Sequence, residues 1–190
     1  KIPVHRLSVD ANITKASQAK VSTSALSSAL VNRGYKEVIT YSFISNEMHD
    51  LVDPDAKKIL LKNPISDDMS VMRSSLWSGL IQSARSNIRR GHHNARFFEM
   101  GQCFFGTSVD TQIQKVAGII SGNRHDAQWS ESERAVDFFD AKSDVEALLS
   151  HSTDAFTFEA ADHPALQIGQ SAKIMKGSEL IGWVGALSPK

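Results

Sequence analysis

Hydrophobic residues in this chain recur at two spacings, and the switch between them divides it into elements. Within residues 15–33, Val21, Ala25, Leu26, Ala29 and Leu30 fall on one helical stripe, and Gly34 supplies the stop. Residues 1–14 carry Pro3 and no clear period, and read as an extended lead-in. Residues 35–43 alternate, Val38, Thr40 and Ser42 against Ile39, Tyr41 and Phe43, which predicts a strand. Ser45 can cap a short helix through Val52 that Pro54 ends. Residues 59–61 read as a short buried strand, Asn63-Pro64 as a turn, and residues 70–73 as extended. A second long helix is predicted over 75–90 from the stripe Leu76, Leu80, Ile81, Ala84 and Ile88, with Gly91 closing it.

The centre of the pattern is residues 95–105, which hold four of the nine phenylalanines and the single cysteine, Cys103. Period-two alternation sets Phe97, Glu99 and Gly101 on one face and Arg96, Phe98 and Met100 on the other. Gly101 marks a bulge or a point of close approach. A polar link, 106–111, leads to a second strand over 113–121, so a long hairpin is expected. After a polar loop at 122–135, long enough to be mobile or functional, a helix is predicted over 138–150. Strands follow at 156–161, 172–176 and 180–187, the last two joined at Gly177-Ser178. Strand pairs separated by helices, without strict βαβ alternation, point to an antiparallel α+β domain.

Composition narrows the function classes. The chain has 190 residues, 41% hydrophobic and 22% charged, with a formal net charge of zero, so no global field draws it to nucleic acid or membrane. One cysteine excludes an internal disulfide and any multi-cysteine zinc site, and its apolar strand makes Cys103 an inert core thiol. No apolar run approaches the ~20 residues of a membrane helix, which sets a cytoplasmic location as the expectation. The start at Lys1 and the stop just after an apolar strand suggest an excised piece, truncated at its C-terminal side.

Several blocks resemble a known family. Gly34-Tyr35-Lys36-Glu37-Val38-Ile39-Thr40-Tyr41-Ser42-Phe43, after its helix, resembles motif 1 of class II aminoacyl-tRNA synthetases, and Arg96-Phe97-Phe98-Glu99-Met100-Gly101 the first strand of their motif 2. The closer resemblance is to the core domain of the β subunits of bacterial phenylalanine–tRNA ligases. It is carried by Asn63-Pro64-Ile65-Ser66 with residues 69–80, by Asp137-Phe138-Phe139-Asp140-Ala141-Lys142-Ser143-Asp144-Val145-Glu146, by His163-Pro164 with Gly169-Gln170-Ser171-Ala172, and by Ile181-Gly182-Trp183-Val184-Gly185. The resemblance implies a class II synthetase-like core over 15–190, an antiparallel sheet flanked by helices. It further implies a non-catalytic domain in an α2β2 assembly whose α subunit binds ATP and phenylalanine, with Mg²⁺ used by the whole enzyme and tRNA reached through the complex. Its catalytic members place an arginine two residues before the glutamate; here that position is Phe97, and Arg96 points to the opposite face. The link 106–111 has no basic residue, and no arginine follows the last strand. No catalytic, cofactor-binding or metal-ligating residue is therefore expected.

The remaining candidates each have a structural reading beside the functional one. Glu99 reads as a buried, hydrogen-bonded carboxylate. Asp137, Asp140 and Asp144 could line one helical face for a cation, but two of them suit a helix N-terminus. Arg85, Arg89, Arg90, His92, His93 and Arg96 form a basic cluster in which Arg85, Arg89 and Arg90 are the candidate RNA contacts. His163 before Pro164 reads as turn-stabilising, and Ser74 and Ser75 as helix caps. The small-residue helix and the motif 1 resemblance make Ala25, Ala29, Tyr35, Val38 and Tyr41 the candidate subunit interface. Two other functions fit the sequence: a free-standing ATP-dependent acid-activating enzyme of class II type, and an RNA-binding module built on residues 85–96.

Overall fold

The computed structural model describes residues 21–130 and 132–189; the lead-in at 1–14 and the predicted helical start at 15–20 lie outside them. Helix α1 (Thr23–Asn32) begins where the Ser22 side-chain oxygen accepts from the Ala25 amide at 3.2 Å, so Val21 precedes it. It ends at Arg33, and Gly34, at φ +84°, turns the chain with a backbone that L side chains rarely adopt. The predicted strand over 35–43 is broken in two. β1 (Lys36–Glu37) runs parallel to β4 (Ala95–Phe104), and β2 (Phe43–Ile44) pairs antiparallel with β3 (Val71–Met72). Between them Thr40 turns its backbone amide and hydroxyl toward Glu99, which takes the segment off the ladder.

Helix α2 (Asn46–Val52) is capped by Ser45, as its sequence predicts. The strand expected at 59–61 is reduced to one bridge, Leu60 to Val71, and Leu60 is 63% exposed rather than buried. Helix α3 (Trp77–Arg89) follows; Ser75 accepts from the Trp77 amide at 3.2 Å, whereas Ser74 turns toward His49 and does not cap. β4 and β5 (Gln112–Ser121) form the central hairpin in unbroken register, Phe97 opposite Ile119, Glu99 opposite Ala117 and Gly101 opposite Lys115. Gly101 is thus a point of close approach and not a bulge. Helix α4 (Phe138–Leu149) opens on a capping box in which Asp137 and Asp140 each accept from the other's amide.

A second antiparallel sheet joins β6 (Phe156–Ala160), β7 (Leu166–Lys176) and β8 (Glu179–Leu187). β7 starts earlier than its hydrophobic pattern predicts, because Gln167, Gly169 and Gln170 interrupt the alternation and the register shifts between Leu166 and Ser171. The two faces of the hairpin are both covered. Phe97 and Cys103 pack on Leu76, just before α3, and on Leu80 and Ala84 of α3, and Phe98 packs on Leu30 and Tyr35. Helix α4 serves two cores, Leu148 lying against the Phe98 cluster and Val145 and Leu149 against Ala172, Ile174 and Val184 of the second sheet. No helix among the described residues is long and apolar enough to cross a membrane.

Close packing of α3 on the segment before β2 depends on Gly79. A Cβ there would lie 2.0 Å from the Thr40 hydroxyl oxygen and 2.6 Å from the Thr40 Cβ. Gly79→Ala should therefore lower stability by about 1–3 kcal/mol through overpacking, although alanine alone favours a helix by about 1 kcal/mol. Urea denaturation followed by tryptophan fluorescence checks this; a rise in the midpoint would contradict the packing.

Two buried carboxylates and an arginine-lined cleft

Glu99, on the α3 face of β4, is 3% exposed. Arg73, just after β3, donates from Nη1 to Glu99 Oε1 at 2.7 Å and to Thr40 Oγ1 at 3.1 Å, and from Nε to the Gln102 carbonyl at 3.0 Å. Thr40 Oγ1 donates to Glu99 Oε2 at 2.7 Å, and the Thr40 amide donates to Oε1 at 3.3 Å. The carboxylate is thus satisfied as buried charge requires. Gly101 leaves the room: a Cβ there would stand 2.4 Å from Arg73 Nη2. The structural reading of Glu99 identifies the need for partners but not Arg73 or Thr40. On this face of the hairpin Arg73 is paired with Glu99, and Lys115 of β5 lies 4.4 Å above the Phe105 ring.

The second carboxylate, Asp144, projects from α4 toward the opposite face of the hairpin. It accepts from Arg33 Nε at 2.5 Å, from the Tyr35 hydroxyl at 2.7 Å and from Arg96 at 3.2 Å. Arg96 also lies 5.7 Å over the Tyr35 ring. Burial and the neighbouring Asp144 carboxylate push the Tyr35 phenol well above its ordinary range, so it remains a donor. One helical turn before Asp144, Asp140 accepts from Arg134 at 2.8 Å and lies 3.6 Å from Arg124. The Arg134 guanidinium holds the Asp140 carboxyl below its usual range. The aspartates weighed as a cation site are therefore spent on capping and on arginines. Between these groups, the end of the hairpin and the residues after β5 lies a cleft of about 1000 Å³.

The predicted site residues are scattered by the fold. Ala25 and Ala29 are half-buried on α1, Val38 packs against the Leu76–Leu80 core, and Tyr41 is 71% exposed beside Ile39 at 92%. Tyr35 is turned inward to Asp144, only 6% exposed, so within this chain it is a core residue and not a surface one. Arg85, Arg89 and Arg90 stand exposed along the end of α3, whereas Arg96 is withdrawn from their cluster into the Asp144 site. Cys103 is fully buried, and burial pushes its thiol upward, in keeping with an inert core residue.

His163 does more than hold its turn. Its Nδ1 accepts from the Ala165 amide at 3.2 Å, and its ring meets Trp77 of α3 edge-on at 5.4 Å and Trp183 of β8 at 4.8 Å. Burial lowers its pKa from the ordinary 6.5, against the pull of Asp53 and Asp55. The fold thus favours neutral imidazole, and the unfolded chain binds more protons between the folded pKa and 6.5. Stability should be full above 6.5, fall as the pH drops toward the folded pKa, and level off below it. Comparing urea midpoints of the natural chain and His163→Gln across that window should show a shallower slope in the variant; equal slopes would remove His163 as the cause.

Comparison with known proteins places this geometry in context. The family described as the phenylalanyl tRNA synthetase beta chain CLM domain matches residues 2–190. The phenylalanine–tRNA ligase beta subunit of Nitrosococcus oceani is 47% identical over 164 residues, 84% of this chain and 21% of that protein. That of Coxiella burnetii is 39% identical over 193 residues, 100% of this chain and 24% of that protein. The chain therefore spans between a fifth and a quarter of these relatives. A pyrrolysyl tRNA synthetase from Desulfitobacterium hafniense superposes with a TM-score of 0.61 at 17% identity, over 88% of this chain and 57% of that one, which shows a shared class II synthetase fold.

Proposed function

The chain belongs to the phenylalanyl-tRNA synthetase beta chain family, and we propose that it acts there as a non-catalytic core and assembly domain. In this reading it holds an α subunit in an α2β2 complex in the cytoplasm. The α subunit carries out the ATP- and Mg²⁺-dependent attachment of phenylalanine to tRNA, and tRNA reaches this chain through the complex. The observation that carries the proposal is the family match along the whole chain. The closed chemistry of the hairpin supports it, because Glu99 is fully committed to Arg73 and Thr40 and Phe97 is buried among aliphatic side chains. The subunit interface is assigned to the half-buried Ala25 and Ala29 and the segment around Val38 and Tyr41, where Ile39 and Tyr41 project their side chains outward.

Co-expression of the full-length β subunit with its cognate α subunit, followed by gel filtration, tests the assembly role. Tyr41→Glu with Ile39→Glu should shift the complex toward free subunits, since charges at an apolar interface core are strongly disfavoured. An unchanged elution profile would move the interface elsewhere. Calorimetric titration of ATP·Mg²⁺ into the purified chain should give no heat; tight binding would favour an acid-activating enzyme instead.

A further inference from the structure

The second sheet meets the rest of the fold on two sides, and the two contacts differ in chemistry. On α4 the contact is apolar, with Phe138, Val145 and Leu149 against Ala172, Ile174 and Val184. On the α3 side stands an imidazole. The His163 ring lies edge-on between Trp77, the first residue of α3, at 5.4 Å and Trp183 of β8 at 4.8 Å. Trp77 in turn packs on the Leu76–Leu80 core. The segment that carries His163 is tied to its own sheet: Ser171 Oγ donates to the Ala161 carbonyl at 2.7 Å, and the Ser188 amide to the Ala165 carbonyl at 3.0 Å.

A hydrogen bond fixes the state of the ring. A backbone amide only donates, so the 3.2 Å contact from the Ala165 N–H requires a lone pair on Nδ1 and places the ring proton on Nε2. A second proton can enter only at Nδ1, where it would face the Ala165 N–H donor to donor. Asp53, at the end of α2, and Asp55 pull a proton onto the ring, yet burial outweighs them. Of the other charged side chains, Lys173 of β7 stands 5.5 Å over the Trp183 ring, and Asp162, next in the chain, is exposed.

We propose that His163 is an acid-released clasp: a proton on Nδ1 displaces the Ala165 amide, the ring leaves its place between Trp77 and Trp183, and the second sheet parts from α3 while α4 still holds it. The proton comes from solvent, and only hydrogen bonds and packing change. Opening sets in below 6.5, the ordinary value that the freed ring regains, and levels off below the pKa of the closed form. The ratio of open to closed should rise tenfold for every unit by which the closed ring lies below 6.5. This differs from global unfolding, in which β7 and β8 would separate as well.

The test uses the intact protein that carries this chain. Deuterium exchange at the imidazole Cε1–H, read by mass spectrometry, gives the His163 pKa. Amide exchange of the same protein, corrected for its intrinsic pH dependence, gives the opening. The Ala165 amide should lose protection as the pH falls, by the factor that the measured pKa sets, while β8 and α4 keep theirs. His163→Gln, whose amide oxygen accepts from Ala165 at any pH, should stay shut throughout. His163→Arg, which has no acceptor, should leave the Ala165 amide open even at neutral pH. At low ionic strength, Asp53→Asn with Asp55→Asn should move the midpoint of opening to lower pH, a response that packing of the ring alone would not give. Equal opening in His163→Gln, a His163 pKa at or above 6.5, or loss of β7 and β8 protection together with Ala165 overturns the proposal.

Discussion

Glu99→Ala should destabilise the chain by about 3–5 kcal/mol, the range for removing one member of a buried ion pair. Both side chains are almost wholly out of water, at 5% and 3% exposure, so Arg73 would be left with its Nη1 aimed at an apolar void. Thr40 would lose both of its acceptors on the carboxylate, and the turn between β1 and β2 would lose its anchor. Glu99→Gln should fall by less, because the amide oxygen can still accept from Arg73 while the amide nitrogen faces Thr40 with the wrong polarity. Arg73→Met should be as damaging as Glu99→Ala, since it leaves a buried carboxylate with only Thr40. The double variant Arg73→Met, Glu99→Leu should recover much of the loss, because an apolar pair of similar volume removes both desolvation penalties. Urea midpoints for the natural chain, Arg73→Met, Glu99→Leu and the double variant form a double-mutant cycle. Additive losses would show that the two side chains do not act as a pair.

This pair also shows where sequence reading stops. The hairpin itself was legible, because alternation over 95–105 and 113–121 matches the pleat and β4 and β5 keep register residue for residue. The caps at Ser45 and Asp137 were legible too, since capping is local chemistry. Arg73 was not, because its partner lies in another element and the contact leaves no period in the sequence. Gly79 and Gly101 are its only sequence trace, two small residues that look like ordinary breaks until Thr40 and Arg73 are seen filling the space beside them. The same limit explains Tyr35. The motif 1 resemblance made it a candidate interface residue, whereas α4, about a hundred residues on, closes over it through Asp144. The cleft was invisible for a related reason: Arg33, Arg96 and the Arg124–Arg134 loop come from three separate stretches and converge only in the fold.

Asp144→Ala should cost about 3 kcal/mol, at the lower end of the buried-pair range, because Arg33 and Arg96 keep 35% and 20% of their side chains in water and can partly rehydrate. What cannot rehydrate is the Tyr35 hydroxyl, whose acceptor is the Asp144 carboxylate and which sits in the core with Leu30 and Phe98. Tyr35→Phe alone should therefore cost about 1.5–3 kcal/mol, one hydrogen bond to a charged acceptor. In the Asp144→Ala background the same change should be neutral or favourable, since it deletes an orphaned donor. Asp144 is the group through which α4 grips α1 and β4, while Val145 and Leu149 hold the second sheet on the helix's other side. Its loss should thus loosen the helix from the hairpin before the second sheet unfolds. Hydrogen exchange tests the order: amides of α1 should lose protection in Asp144→Ala while those of β7 and β8 keep it. A uniform loss across all three would mean that the chain unfolds as one unit and that Asp144 is only one contact among many.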